Sequence, residues 1–221
     1  MIKTRARNDE EKAEKAQLII DAAAKILKTE KYNELTTLDV TNEAGVSNGT
    51  LFVYFKTKEA LFYHVLIREY IQRHNDYYNM LQLIDIPDFA MFKKIVLTEM
   101  EDAYNTRPVL MQLAPIRTTI LENNVTPELI ASTKKELHAV IVKTAEAIAA
   151  KFDALTADEI LHIFTSLSAI SIGFMMMLAN PTKAEDPQEN KAIYKAPYIK
   201  PAIDCMSTYL DGFEIEKWGN K

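Results

Sequence analysis

Apolar residues recur at helical spacing along most of the chain. Ile19, Ile20, Ala23, Ile26 and Leu27 form one stripe, which predicts a helix over 10–29. Phe89, Phe92, Ile95, Val96, Met100 and Ala103 form another, ending near Tyr104. Between them the pattern shortens: two helical pieces, about 37–44 and 48–55, precede a long helix from Lys58 to about Leu81. Pro108 and Pro115 bracket a short, bent piece. Thr126-Pro127-Glu128 opens a helix to about Phe152, and Thr156-Ala157-Asp158-Glu159 opens another to about Ala179. Residues 180–201, with four prolines among charged residues, read as a long loop before a last helix over about 200–213. No sustained strand alternation and no internal repeat is visible, so the fold class is all-α.

The short pieces carry punctuation of their own. Thr36 is an N-cap with Asp39 three residues on, which is a capping box. Gly45 ends the first piece where a left-handed turn is cheap for glycine, and Ser47 caps the second. Two helices joined through so few residues predict a helix-turn-helix, whose second helix reads the DNA major groove.

Composition narrows the field. A chain of 221 residues has ample length for a core. Five glycines suit a helical fold better than a turn-rich β fold, and 48% hydrophobic with 26% charged residues is ordinary for a globular protein. The single Cys205 excludes an intramolecular disulfide, fits a reducing cytoplasm and is expected as a buried thiol. The first fifteen residues lack the apolar stretch of a signal peptide, so a cytoplasmic protein is expected. The net charge of −5 is uneven: residues 1–75 carry 12 Lys+Arg against 11 Asp+Glu, and residues 76–221 carry 14 against 20. The near-neutral N-terminal part, with Lys3, Arg5, Arg7, Lys56 and Lys58, is the end an acidic body would turn toward DNA.

Ala44-Gly45-Val46-Ser47-x-Gly49-Thr50-Leu51-Phe52-x-Tyr54-Phe55-x-x-Lys58-Glu59-x-Leu61 resembles the signature of the TetR family of bacterial transcription repressors. The likeness extends upstream through Ile20, Ala23, Leu27 and Tyr32 and covers about residues 12–66. It departs at Lys31, where the family usually has glycine, and at Thr37, Leu38 and Thr41, which bear on how helix 2 packs. The resemblance implies a DNA-binding domain over 1–56 and a helical effector-binding and dimerisation domain over 57–221. It also implies a homodimer formed through helices about 156–179 and 200–213.

Candidate DNA ligands follow from chemistry and likeness together. Thr36 and Ser47 stand at helix starts, where free N–H groups suit phosphate. Asn48, Gly49, Thr50 and Val53 occupy the early turns of the recognition helix. Asparagine can pair with adenine, threonine and valine can meet a thymine methyl, and Gly49 lets the backbone approach. Tyr54 and Lys58 match the family's phosphate contacts, while Leu51, Phe52 and Phe55 read as core that locks the helix pair. A methionine- and aromatic-rich middle suggests an adaptable site for a small apolar or amphipathic effector. Tyr70, Met100, Tyr104, Met111 and Phe174 are its candidate walls, with Arg117 as a partner for an anionic group.

Catalytic patterns are absent from the sequence. The glycines are scattered, so no phosphate loop forms, and the four histidines lack zinc spacing. Glu159-x-x-His162 is half of a di-iron pattern without its second half, and no metal or cofactor is expected. The apolar run 160–179 has the length of a bilayer span, but its serines, threonine and histidine favour a helix buried on nearly all sides in a protein. The expectation is therefore a TetR-like repressor that binds palindromic double-stranded operator DNA, is released by an effector, and is not an enzyme. An activator or architectural member of the family, or a helical binding or catalytic protein keeping the motif as scaffold, stands as the alternative.

Overall fold

The computed structural model describes residues 2–179 and 199–219, with side chains described over 11–177 and 199–219. Among the described residues all regular structure is helical. The described residues hold nine α-helices in order: α1 (Ile2–Ile26), α2 (Thr37–Ala44), α3 (Asn48–Tyr54), α4 (Lys58–Leu81) and α5 (Phe89–Thr106). Then come α6 (Pro108–Leu113), α7 (Pro127–Ala149), α8 (Ala157–Ala179) and α9 (Ile199–Trp218).

Most boundaries fall where the caps and prolines place them. Two helices are longer than their apolar stripes. The α1 backbone begins at Ile2, so Lys3, Arg5 and Arg7 stand on its first turns; strong helix formers over 10–16 carry it past its apolar stripe. The last helix continues to Trp218, because Phe213 and Trp218 both find aromatic partners on Phe89, at 6.2 and 5.2 Å between ring centroids. The bend expected near Pro115 is a change of helix type. Proline lacks the N–H that an α-helix needs, and the chain passes through a 3₁₀ turn at Ala114–Ile116 and a π turn at Arg117–Leu121. The proline-rich loop expected over 180–201 lies outside the described residues up to 198.

The chain forms two compact units. One comprises the residues up to Glu69 with Pro108–Thr133; the other comprises Tyr70–Arg107 with Lys134 onward. In the first, Ile19 and Ala23 of α1 and Leu27 just past its end are buried with Val40, Leu51 and Phe55 of the helix pair and Leu61, Phe62 and Leu66 of α4. Gln112 of α6 ties off the end of α1: its amide donates to the carbonyls of Leu27 (2.8 Å) and Glu30 (3.1 Å) and accepts from Tyr32 N–H (2.9 Å). Helix C-termini leave carbonyls unpaired, and a side-chain amide is one way to satisfy them. Tyr63, fully buried, shares a 2.7 Å hydrogen bond with Thr133.

The second unit has a core of Tyr77, Leu81, Phe89, Phe92, Ile95 and Val96 with Ile148, Phe152, Ile160, Ile163, Leu167, Met206 and Leu210. Lys151 closes one end, donating to the Ile84 carbonyl at 2.7 Å. Ion pairs join α5 to α9 through Lys93 and Asp211, and α9 to the start of α8 through Lys217 and Glu159.

Candidate nucleic-acid interface

The helix pair is built as its cap residues dictate. Thr36 accepts from Asp39 N–H at 3.3 Å, and Asp39 accepts from Thr36 N–H at 2.7 Å. The Thr36 hydroxyl, at 2.6 Å, and the Thr36 N–H both bond the Asp39 carboxyl and hold it below its ordinary range, so α2 starts on an ionised carboxylate. Gly45 takes the left-handed conformation, φ 65°, in the turn. Ser47 then accepts from Thr50 N–H at 3.1 Å and pairs with the Thr50 hydroxyl at 2.8 Å.

Beneath α3, Leu51 and Phe55 are buried and bind the helix to its unit. Phe55 meets His64 of α4 edge-on, at 5.4 Å between centroids, and burial pulls the His64 imidazole below its usual range. Above, Asn48, Gly49 and Val53 are exposed, Val53 at 69%. Thr50 and Tyr54 are half-buried. Phe52, expected in the core, is instead 39% exposed. Helical geometry explains this, because residue 52 follows Asn48 by four and Gly49 by three and so shares their face. Spacing puts residue 52 on one face with Asn48 and Gly49, but it is the burial of Leu51 and Phe55 that turns this face outward.

Lys58 stands at the start of α4, with its ammonium 2.6 Å from the Tyr32 carbonyl and 4.2 Å from the Tyr32 ring centroid. Burial lowers its pKa, against the raising effect of Glu59 and Asp39. Tyr32 packs edge-on against Phe62 at 5.2 Å, and burial, with Glu59 adding, pushes its phenol up to about 12. The atypical residues of α2 are accommodated. Thr41 is buried but its hydroxyl donates to the Leu38 carbonyl at 3.0 Å, while Leu38 points out at 57% exposure.

The candidate effector residues divide between the units. Met111 and Arg117 lie in the first, where Arg117 donates to Glu122 at 2.9 Å. Tyr70, Met100, Tyr104 and Phe174 lie in the second. Tyr104 accepts from the Ser171 hydroxyl at 2.9 Å, and Met100 is buried beside Arg73, whose guanidinium lies 2.9 Å from its sulfur. Tyr77 belongs to the aromatic-rich middle that the sequence shows, but sequence reading missed Arg73 and His74, which line cavities of the second unit with Tyr77 and Glu99. Polar residues on a long helix look like solvated surface, and no spacing marks them.

Two further expectations change. Cys205 is exposed on α9, not buried, because Ala202, Met206 and Leu210 take the inward positions of that helix. Helix α8 is not enclosed on nearly all sides. Over Ala157–Met177 its hydropathy averages 1.8, long and apolar enough to cross a membrane by composition, yet only 28% of that window is buried. His162, Thr165, Ala169, Gly173 and Met176 form an exposed stripe along it. Glu159 is engaged in a capping box with Thr156 and in its pair with Lys217, and no metal-type cluster occurs among the described residues.

An exposed, capped second helix over a buried seam defines a helix-turn-helix protein of the DNA-reading kind. Residues 19–65 match the family described as bacterial regulatory proteins, tetR family, and residues 94–200 match the tetracyclin repressor-like C-terminal domain. The chain belongs to the TetR family and is a transcriptional regulator. A regulator from Bacillus subtilis strain 168, the uncharacterized HTH-type YuxN, is 30% identical over 84 residues, 38% of this chain. That stretch spans 29% of the Bacillus protein. Two solved structures share the fold. The fatty acid degradation regulator FadR from Bacillus halodurans is 17% identical, with 87% of this chain and 94% of that one covered, at a TM-score of 0.51. A protein from Mesorhizobium loti MAFF303099 assigned to the same family of regulators is 16% identical, with 90% and 97% covered, at 0.51.

Proposed function

We propose that this regulator is a repressor that binds a palindromic operator as a homodimer and is released by a small, apolar or amphipathic effector. Residues 1–56 carry DNA binding, and 57–221 carry effector binding and dimerisation. The observation that carries the reading is the outward face of α3, where Asn48, Gly49 and Val53 are exposed while Leu51 and Phe55 are buried. Asn48, Gly49, Thr50 and Val53 read base edges, and the helix starts capped by Thr36 and Ser47 take phosphates, as do Tyr54 and Lys58. Lys58 has donors to spare, since only one of its three N–H groups is committed to Tyr32.

Dimerisation is supported by α8. An apolar helix with small residues along an exposed stripe wants a second helix at close range, and a symmetric copy of the same face is the simplest cover. Ile215 of α9, 68% exposed, is a further uncovered apolar side chain. Effector binding is assigned to the helical core of the unit that holds Tyr70, Met100, Tyr104 and Phe174; Met111 and Arg117 belong to the other unit. A ligand that prefers the DNA-incompetent arrangement shifts the population away from binding.

The test is binding to the DNA upstream of the protein's own gene, for wild type and for the Thr50→Ala, Tyr54→Ala double variant. Sequence-preferring binding at moderate salt, lost by at least ten-fold in the variant, is expected. No preference in the wild type rules out the repressor, and unchanged affinity in the variant rules out α3 as the reading helix.

A further inference from the structure

We propose that the cleft between the second half of α4 and α5 is the effector site, and that it takes an uncharged molecule: an apolar body with one hydrogen-bonding head, such as an alcohol, ketone or ester, whose head pairs with the Tyr77 hydroxyl. This rests on the effector reading above and gives it a place and a ligand class.

The cleft measures about 470 Å³, within the range that holds small-molecule ligands. Met80, Ile84, Met91 and Ile95 line it as apolar wall. Tyr77 also lines it and is 5% exposed, and its hydroxyl is buried with no hydrogen-bond partner. Buried hydroxyls are ordinarily paired, and one that is not marks a place where a partner is missing. A ligand oxygen supplies that partner.

The charges around the cleft argue for a neutral head. Arg73 holds Glu99 in a two-pronged pair, at 2.7 and 2.6 Å. Arg107 holds Asp76 at 2.7 Å. Lys94 and Asp102 on the same lining balance each other in sign. Lys94 and Asp102 are exposed, whereas at the inner end, where Tyr77 stands with Arg73 and Glu99, a carboxylate would have to take the guanidinium from its acid and an ammonium the acid from its guanidinium. Either exchange strands a partly buried charge, which costs more than the new pair returns. A hydroxyl or carbonyl disturbs neither pair.

A second void of about 30 Å³ lies behind, sharing Arg73, Tyr77 and Glu99 with the cleft and bounded by His74, Phe164 and Ser168. It has room for a head group the size of one water. His74 Nδ1 is buried there without a hydrogen-bond partner, the second such atom beside this wall. Burial, with Arg73 and Arg107 adding, pulls the imidazole down to about 3. His74 is therefore neutral at pH 7 and offers a hydrogen bond without charge.

The test uses the full-length protein and three probes of equal chain length: 1-decanol, decanoate and decylammonium. Calorimetric titration is expected to show 1-decanol binding at least ten-fold more tightly than either ion. Tyr77→Phe, which removes one oxygen and no volume of the core, should weaken 1-decanol about ten-fold. Met91→Trp at the exposed rim should block the cleft and abolish binding. Decanoate or decylammonium binding as well as 1-decanol, no binding by any of the three, or Tyr77→Phe binding 1-decanol like wild type would each overturn the proposal. Binding that needs Tyr77 but leaves DNA affinity unchanged keeps the site and removes its effector role. Release of DNA by 1-decanol, undiminished in both variants, keeps the effector reading and moves the site elsewhere.

Discussion

Gly45 is the residue on which the helix-turn-helix bends, and its left-handed φ is the reason. A Cβ there meets nothing within 4 Å, so only backbone strain opposes substitution. Gly45→Ala is expected to cost about 1–2 kcal/mol of unfolding free energy, read by urea denaturation, with DNA affinity falling as α3 is re-aimed. His74 makes a different demand. Its folded pKa lies near 3, below the unfolded 6.5, so between those values the unfolded chain binds the extra proton. Stability is then full above pH 6.5 and falls on acidification, by at most about 1.4 kcal/mol per pH unit. His74→Leu should flatten the unfolding curve between pH 6.5 and 5; a variant with the wild-type slope assigns that slope to other groups. Only one of the two is announced in the sequence: Gly45 is, because turn glycines are local, and His74 is not, because its pKa is made by burial and by residues on other turns and helices.

Among the elements, α8 sets the largest puzzle. Its apolar run was legible as a helix from period and caps, but whether it faces a core, a membrane or another chain is not a property of the run. The fold buries Ile160, Ile163, Leu167 and Met175 and leaves the Thr165, Ala169 and Gly173 side uncovered. Ala169→Glu, placed on that exposed stripe, should leave the monomer folded and shift sedimentation from dimer to monomer at micromolar concentration. A variant that sediments like wild type would place the interface elsewhere. In α3 the same distinction appears at smaller scale. Its limits and caps were readable from Ser47 and Gly45, whereas the outward position of Phe52 depended on which side Leu51 and Phe55 chose to bury.

For the whole molecule, affinity for DNA has to be won against a net charge of −5. Local phosphate contacts, not the overall field, must supply it. With one Lys58 from each of two subunits as the cation that neutralises a phosphate, and the Ser47-capped helix start and Tyr54 adding uncharged contacts, the plot of log affinity against log salt should slope at about −2. A slope near zero would mean that the phosphates are not being touched. The acidic excess beyond residue 75 meanwhile discourages binding through the wrong face.

What the sequence determined by itself was local: most helix limits, caps, the turn at Gly45, and the all-α class, since each depends on residues a few positions apart. Only the tertiary structure decided which faces are covered. It paired Gln112 of α6 with the end of α1, and it returned Pro108–Thr133 to the unit that holds the reading helix. It also left Cys205 exposed and gathered Arg73, His74, Tyr77 and Glu99 beside one void. Those outcomes depend on contacts between segments distant in sequence, where apolar period says that a face will be buried but not against what.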